Sequence, residues 1–150
     1  MSKTKNAKIW EVRPGAGRKE LFSNPENLLK AAIEYFNWCH DNPIYESVLV
    51  KYSSSYEIAE VPKTRAFTIA GLCQHLDCNK GYFDDFVKSD AYKNNTKYSV
   101  VIDWIKEIIF RQKYEGAAAN IFNYRIVAKD LDLLKKDEEA SKVEVVVRYE

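Results

Sequence analysis

The feature that most constrains this chain is a change of period. Apolar residues recur at helical spacing on both sides of a stretch, 47–61, where the spacing drops to two. There Val48, Val50 and Tyr52 alternate with Leu49 and Lys51. After a Ser53-Ser54-Ser55 turn, Tyr56, Ile58 and Glu60 resume the alternation. The pattern predicts a β-hairpin set into a helical chain. A lone hairpin is marginal in water, so it has to lie against helices or against another copy of the chain. A second period-two stretch lies at 143–150, where Val143, Val145, Val147 and Tyr149 alternate with Glu144, Val146, Arg148 and Glu150. A single strand leaves its own peptide groups unpaired. Two solutions stand open: it joins the hairpin as an edge strand, or copies of it from a ring of subunits close into an inter-subunit barrel.

The remainder reads as helix. Ser23-Asn24-Pro25-Glu26 is a helix start, with either Ser23 capping ahead of Glu26 or Asn24 capping ahead of Pro25. Leu28, Leu29, Ala32, Ile33, Phe36 and Cys39 then follow at helical spacing, and Asn42-Pro43 ends the run. Residues 68–76 and 80–87 form two short helices about a break at Asp77-Cys78-Asn79. Beyond a polar loop at 93–96, Tyr98, Val101, Ile102, Ile105, Ile108, Ile109 and Gln112 outline a long amphipathic helix, which Gly116 should interrupt. A further helix is expected at 117–131, with Ile121, Tyr124 and Ala128 on one stripe and Phe122 and Ile126 beside it. The expected fold is mainly α. A helical core at 23–134 carries the protruding hairpin, a basic arm at 1–22 precedes it, and a linker and strand at 135–150 follow.

Composition narrows the function. The chain's 150 residues are enough for one core without staples, and 46% hydrophobic with 30% charged residues excludes disorder and collagen. Its 23 basic against 22 acidic residues give a net charge of +1. Affinity for nucleic acid therefore has to come from a local patch or from copies summed in an assembly. The arm is such a patch: residues 1–19 hold Lys3, Lys5, Lys8, Arg13, Arg18 and Lys19 against the single acid Glu11. Pro14, Gly15 and Gly17 argue against regular structure there, and the apolar pair Ile9-Trp10 is expected to pin it. Three cysteines, an odd number, without a secretory apolar stretch lead us to expect an intracellular protein with reduced thiols. No apolar run approaches bilayer-spanning length, so no membrane partner is expected.

No catalytic or cofactor constellation emerges. Pro14-Gly15-Ala16-Gly17-Arg18-Lys19 lacks the glycine spacing, the Lys-Ser/Thr ending and the preceding strand of a phosphate loop. Cys73, His75 and Cys78 lie close together, with Cys39-His40 elsewhere, but zinc favours two well-separated ligand pairs, so these read as structural. Nothing supplies an oxyanion hole or an orienting acid for a Cys-His nucleophile. Residues 68–86 have a helix-turn-helix rhythm. Between 69 and 92, however, Asp77, Asp84, Asp85 and Asp90 outnumber Lys80 and Lys88, and acids on the reading helix meet phosphates with the wrong sign. Only Asn79, Lys80 and Tyr82 at that helix's start could reach DNA, so the pair reads as packing.

Several segments in order carry a resemblance: Trp10-Glu11 with Arg13, Glu34-Tyr35-Phe36 with Trp38, Asn42-Pro43, Arg65-Ala66 with Thr68-Ile69, Gly116-Ala117-Ala118-Ala119, and Ala128-Lys129-Asp130-Leu131. Across about residues 9–133 the chain resembles the small terminase subunit, the DNA-packaging protein of tailed double-stranded DNA phages, in the branch of headful-packaging short-tailed phages. The resemblance implies a non-catalytic subunit that forms a homo-oligomeric ring with a central channel. It implies two partners, the packaging-initiation site on viral double-stranded DNA and the large terminase subunit that holds the ATPase and nuclease. It also implies action in the host cytoplasm during virion assembly. Members of that branch end in a strongly basic tail, whereas residues 129–150 here hold five basic and seven acidic side chains. DNA contact is therefore expected from Lys3, Lys5, Lys8, Arg13, Arg18 and Lys19, with Lys93 and Lys97 contributing. Val143, Val145, Val147 and Tyr149 are expected to serve assembly or large-terminase docking. The alternative is a dimeric helix-turn-helix transcription regulator.

Overall fold

Asn24 starts the first helix, α1 (Pro25–Asp41): its Oδ1 accepts from the Asn27 N–H at 2.7 Å, and Pro25 occupies the first turn, where a missing N–H costs nothing. Of the two starts open in the sequence, this one is used. The computed structural model describes residues 6–12 and 21–132; the strand expected at 143–150 and the arm residues Lys3, Lys5, Arg13, Arg18 and Lys19 lie outside them. At the far end of α1 the Asn42 side-chain amide donates to the Trp38 carbonyl at 2.8 Å, and Pro43 cannot continue the helix.

The chain then enters β1 (Ile44–Tyr52), paired antiparallel with β2 (Ser55–Lys63) in unbroken register from Ile44↔Lys63 to Tyr52↔Ser55. Nine residues per strand make a ribbon about 30 Å long. It is longer at both ends than the 47–61 stretch, because Tyr45, Glu46, Pro62 and Lys63 pair although they break the apolar alternation. Ser55 pairs with Tyr52, leaving only Ser53 and Ser54 in the turn.

Five helices follow: α2 (Ile69–His75), α3 (Lys80–Val87), α4 (Asp90–Asn94), α5 (Thr96–Ala118) and α6 (Tyr124–Asp130). Thr68 caps α2 by accepting from Gly71 N–H at 2.9 Å, and Asn79 caps α3 by accepting from Tyr82 N–H at 2.7 Å. Between them Asp77 takes a left-handed φ of 53°, and Cys78 N–H returns to the Cys73 carbonyl at 2.9 Å, the closure that ends a helix sharply. The polar loop expected at 93–96 is partly helical. Ser89 Oγ accepts from Tyr92 N–H at 3.3 Å and so caps α4, a short-range bond invisible to apolar periodicity. Among the described residues no helix is long and apolar enough to cross a membrane.

Two units divide after Ile109. In the first, Leu28, Ala32, Tyr35, Phe36 and Cys39 of α1 are buried with Leu72 and Cys73 of α2, Leu76 after it, Phe83 and Phe86 of α3, and Tyr98, Ile102 and Ile105 of α5. The Phe22 ring meets Tyr82 and Phe86 edge-on at 5.2 and 4.8 Å, and Tyr98 OH donates to the Phe22 carbonyl at 3.0 Å. The hairpin base is tied by polar contacts. The Arg65 guanidinium lies 5.1 Å from the Trp38 ring centre while its Nε donates to the Asn42 carbonyl at 2.7 Å. Thr68 N–H donates to Tyr35 OH at 3.0 Å.

In the second unit Gly116 does not interrupt the helix. α5 runs through it to Ala118, because the Phe122 ring lies directly on Gly116, where a Cβ would collide with it. The chain turns at Asn120 (φ 59°), and Ile121 N–H and Phe122 N–H both donate to the Gly116 carbonyl, at 2.8 and 3.2 Å. That turn takes up residues assigned above to a helix at 117–131, so α6 begins only at Tyr124, capped by Asn123. The residue α6 buries is Val127; Ile121, Tyr124 and Ile126 are exposed. Lys113 is buried and holds Asp130 at 2.6 Å.

Candidate nucleic-acid interface

Of the eight cations expected to meet DNA, the described residues contain Lys8, Lys93 and Lys97. Lys8 precedes a single 3-10 turn, Ile9–Glu11, and pairs with Glu11 at 3.5 Å on the surface. An exposed pair of this kind holds little energy, so the Lys8 ammonium stays available to a phosphate. The segment is fixed from both ends, but not by Ile9 and Trp10, whose side chains are 51% and 72% exposed. The 3-10 turn carries the Ile9 and Trp10 side chains outward; hydrogen bonds between side chains and backbone hold the segment instead. The Asn6 carboxamide accepts from Tyr45 N–H at 2.6 Å and donates to the Tyr45 carbonyl at 3.2 Å, and the Gln74 side chain donates to the Ile9 carbonyl. Lys8 thus stands beside the hairpin base and α2.

Lys93 and Lys97 sit at the α4–α5 junction, both exposed. Asn95 Oδ1 accepts from Lys97 N–H at 3.0 Å and orients the start of α5. Lys97 lines a shallow, largely apolar groove of about 270 Å³ with Pro25, Glu26, Leu29, Val100 and Val101. A lysine there supplies a point charge for a phosphate but no base-reading geometry.

The α2–α3 pair supplies core side chains, Leu72 and Cys73 from α2 and Phe83 and Phe86 from α3, and leaves Lys80 exposed at the start of α3. Asn79 is occupied as a cap, Tyr82 lies against Phe22, and the exposed side of α3 carries Asp84 and Asp85. The cysteines are equally committed. Burial pushes the Cys39 thiol up, and a hydrogen bond to Cys78, then burial, push Cys73 well above the ordinary thiol range. Neutral thiols of this kind are poor nucleophiles. No group of three or more metal-ligating side chains occurs among the described residues. His75 is half-buried between the Tyr35 and Trp38 rings, at 5.0 and 5.3 Å, and desolvation lowers its pKa.

Periodicity could not find Asn6, Gln74 or Arg65, which position the arm and the hairpin. Each acts by a side chain reaching a backbone carbonyl or amide far away in sequence, which leaves no local spacing signal. The four assembly positions Val143, Val145, Val147 and Tyr149 lie outside the described residues.

A mainly helical chain with a projecting hairpin and its cations at the surface is the setting for the comparison with known proteins. The family model for DNA-packaging protein gp3 matches residues 17–138, and this chain belongs to that family. Over 138 residues, 92% of this chain and 82% of the other, it is 34% identical to the small terminase subunit of Salmonella phage P22.

Proposed function

We propose that this chain is the non-catalytic small subunit of a phage terminase. It works as a closed ring that binds the packaging-initiation site on viral double-stranded DNA and recruits and stimulates the large ATPase/nuclease subunit, in the host cytoplasm during assembly. Family membership supports the packaging role; the hairpin is the observation that supports the ring. Leu49 and Ile58 face each other across the ribbon, 65% and 66% exposed, while Ile44 and Val61 are exposed on its opposite face. An isolated hairpin that is apolar on both faces gains stability only when a partner removes those side chains from water. In a ring each copy supplies that partner to the next.

Native mass spectrometry tests this. The expected result is one closed oligomer for the natural sequence and a smaller species for the double change Leu49→Asp with Ile58→Asp, with helical circular dichroism retained in both. A folded monomer of the natural sequence at micromolar concentration would overturn the ring.

A further inference from the structure

We infer that the outer edge of β1 is a docking ledge for residues 143–149 of an adjacent copy, which add there as a third strand; the inference rests on the ring proposed above. In an antiparallel pair each residue points its N–H and C=O either both at the partner strand or both away from it, in alternation. Tyr45 points both away from β2, because the Asn6 side chain takes both. Counting by two along the unbroken register, Ser47, Leu49 and Lys51 face the same way. On the other side of the ribbon the outward-facing residues are Tyr56, Ile58, Glu60 and Pro62. Pro62 has no N–H to offer, so the β2 edge is interrupted where the β1 edge is complete.

Asn6 shows what the β1 edge accepts. Its carboxamide makes the same donor-and-acceptor pair that a peptide group of a neighbouring strand would make. Beyond Tyr45, no backbone hydrogen bond among the described residues reaches this edge. The three open positions span five residues, and a strand covering them needs about that length plus one residue at each end. Residues 143–149 provide seven, with Val143, Val145, Val147 and Tyr149 at alternate positions and Glu144, Val146 and Arg148 between them. Added beside β1, one face of that strand continues the apolar strip of Leu49 and Ile58. In a closed circle each copy gives one strand and takes one, so neither the β1 edge nor the added strand is left without a partner.

Hydrogen exchange on the full chain, read alongside native mass, tests the inference. In the natural sequence the amides of Ser47, Leu49 and Lys51 should exchange at least about tenfold more slowly than unpaired amides. Val145→Pro and Val146→Pro delete N–H groups that point to opposite sides of a strand, so one of them should release the three amides and the other should not. Exchange at the unpaired rate within an intact ring would overturn the inference and leave the ring standing. So would equal behaviour of the two proline variants, or release only on Lys5→Pro, which would give the edge to residues 1–5. A monomeric mass for the natural sequence would instead overturn the ring itself.

Discussion

His75 sits where two helices meet: its Nδ1 is 3.3 Å from the Gly71 carbonyl of its own helix, and the Tyr35 and Trp38 rings of α1 flank it. Burial, the largest influence, lowers its pKa below the ordinary 6.5, outweighing the Gly71 bond and the Glu34 charge that act the other way. A base whose folded pKa is depressed binds its proton more readily when unfolded. Its contribution is therefore whole above about pH 6.5 and is lost as the pH falls through the window below that value. Tyr35 adds nothing in that window, since burial pushes its hydroxyl up to about 12. We expect the melting temperature to fall less between about pH 7.5 and about pH 5.5 in His75→Asn than in the natural sequence. Equal falls in the two proteins, followed by circular dichroism, would place the acid sensitivity elsewhere.

At the scale of elements, the start of α1 was legible because Asn24 acts on the N–H group three residues later, within reach of sequence reading; Thr68 and Asn79 act in the same way at α2 and α3 but were not read as caps. The hairpin was legible from its alternation, but its ends were not, since Tyr45 and Pro62 lie opposite each other in the ladder without continuing the apolar alternation. Gly116 misled for a definite reason. A glycine late in a helix reads as a terminator, yet here the helix needs it bare so that Phe122 can close the turn onto it. Gly116→Ala gains up to about 1 kcal/mol of helix propensity but forces the Phe122 ring out of place. Overpacking of that kind costs about 1–3 kcal/mol. We expect net destabilisation in urea titration, relieved when Phe122→Ala is added. A variant more stable than the natural protein would mean the ring moves aside freely.

For the whole molecule, the DNA contact proposed above depends on charge. Without residues 1–19 the remaining chain is acidic by four charges, which is why the arm is the expected source of phosphate contacts. Deleting them should weaken binding to double-stranded DNA and flatten the plot of log affinity against log salt, each lost phosphate contact removing about 0.9 from the slope. Fluorescence anisotropy across a salt series measures this, and an unchanged slope would move the contacts to other lysines. The packaging family was legible because its short segments keep their order along the chain. The positioning contacts of Asn6 and Arg65 were not, because they join residues 39 and 23 positions apart.

Pro62 has a consequence for how such a protein survives at high concentration. A ribbon that could be lengthened sideways in both directions is a seed for fibres, and one with exposed apolar side chains especially so. The missing amide hydrogen on one margin makes growth one-sided. Each molecule then accepts an addition on one margin only, so copies follow one another in a single direction, and a succession that curves back onto its first member ends in a finite object rather than a filament.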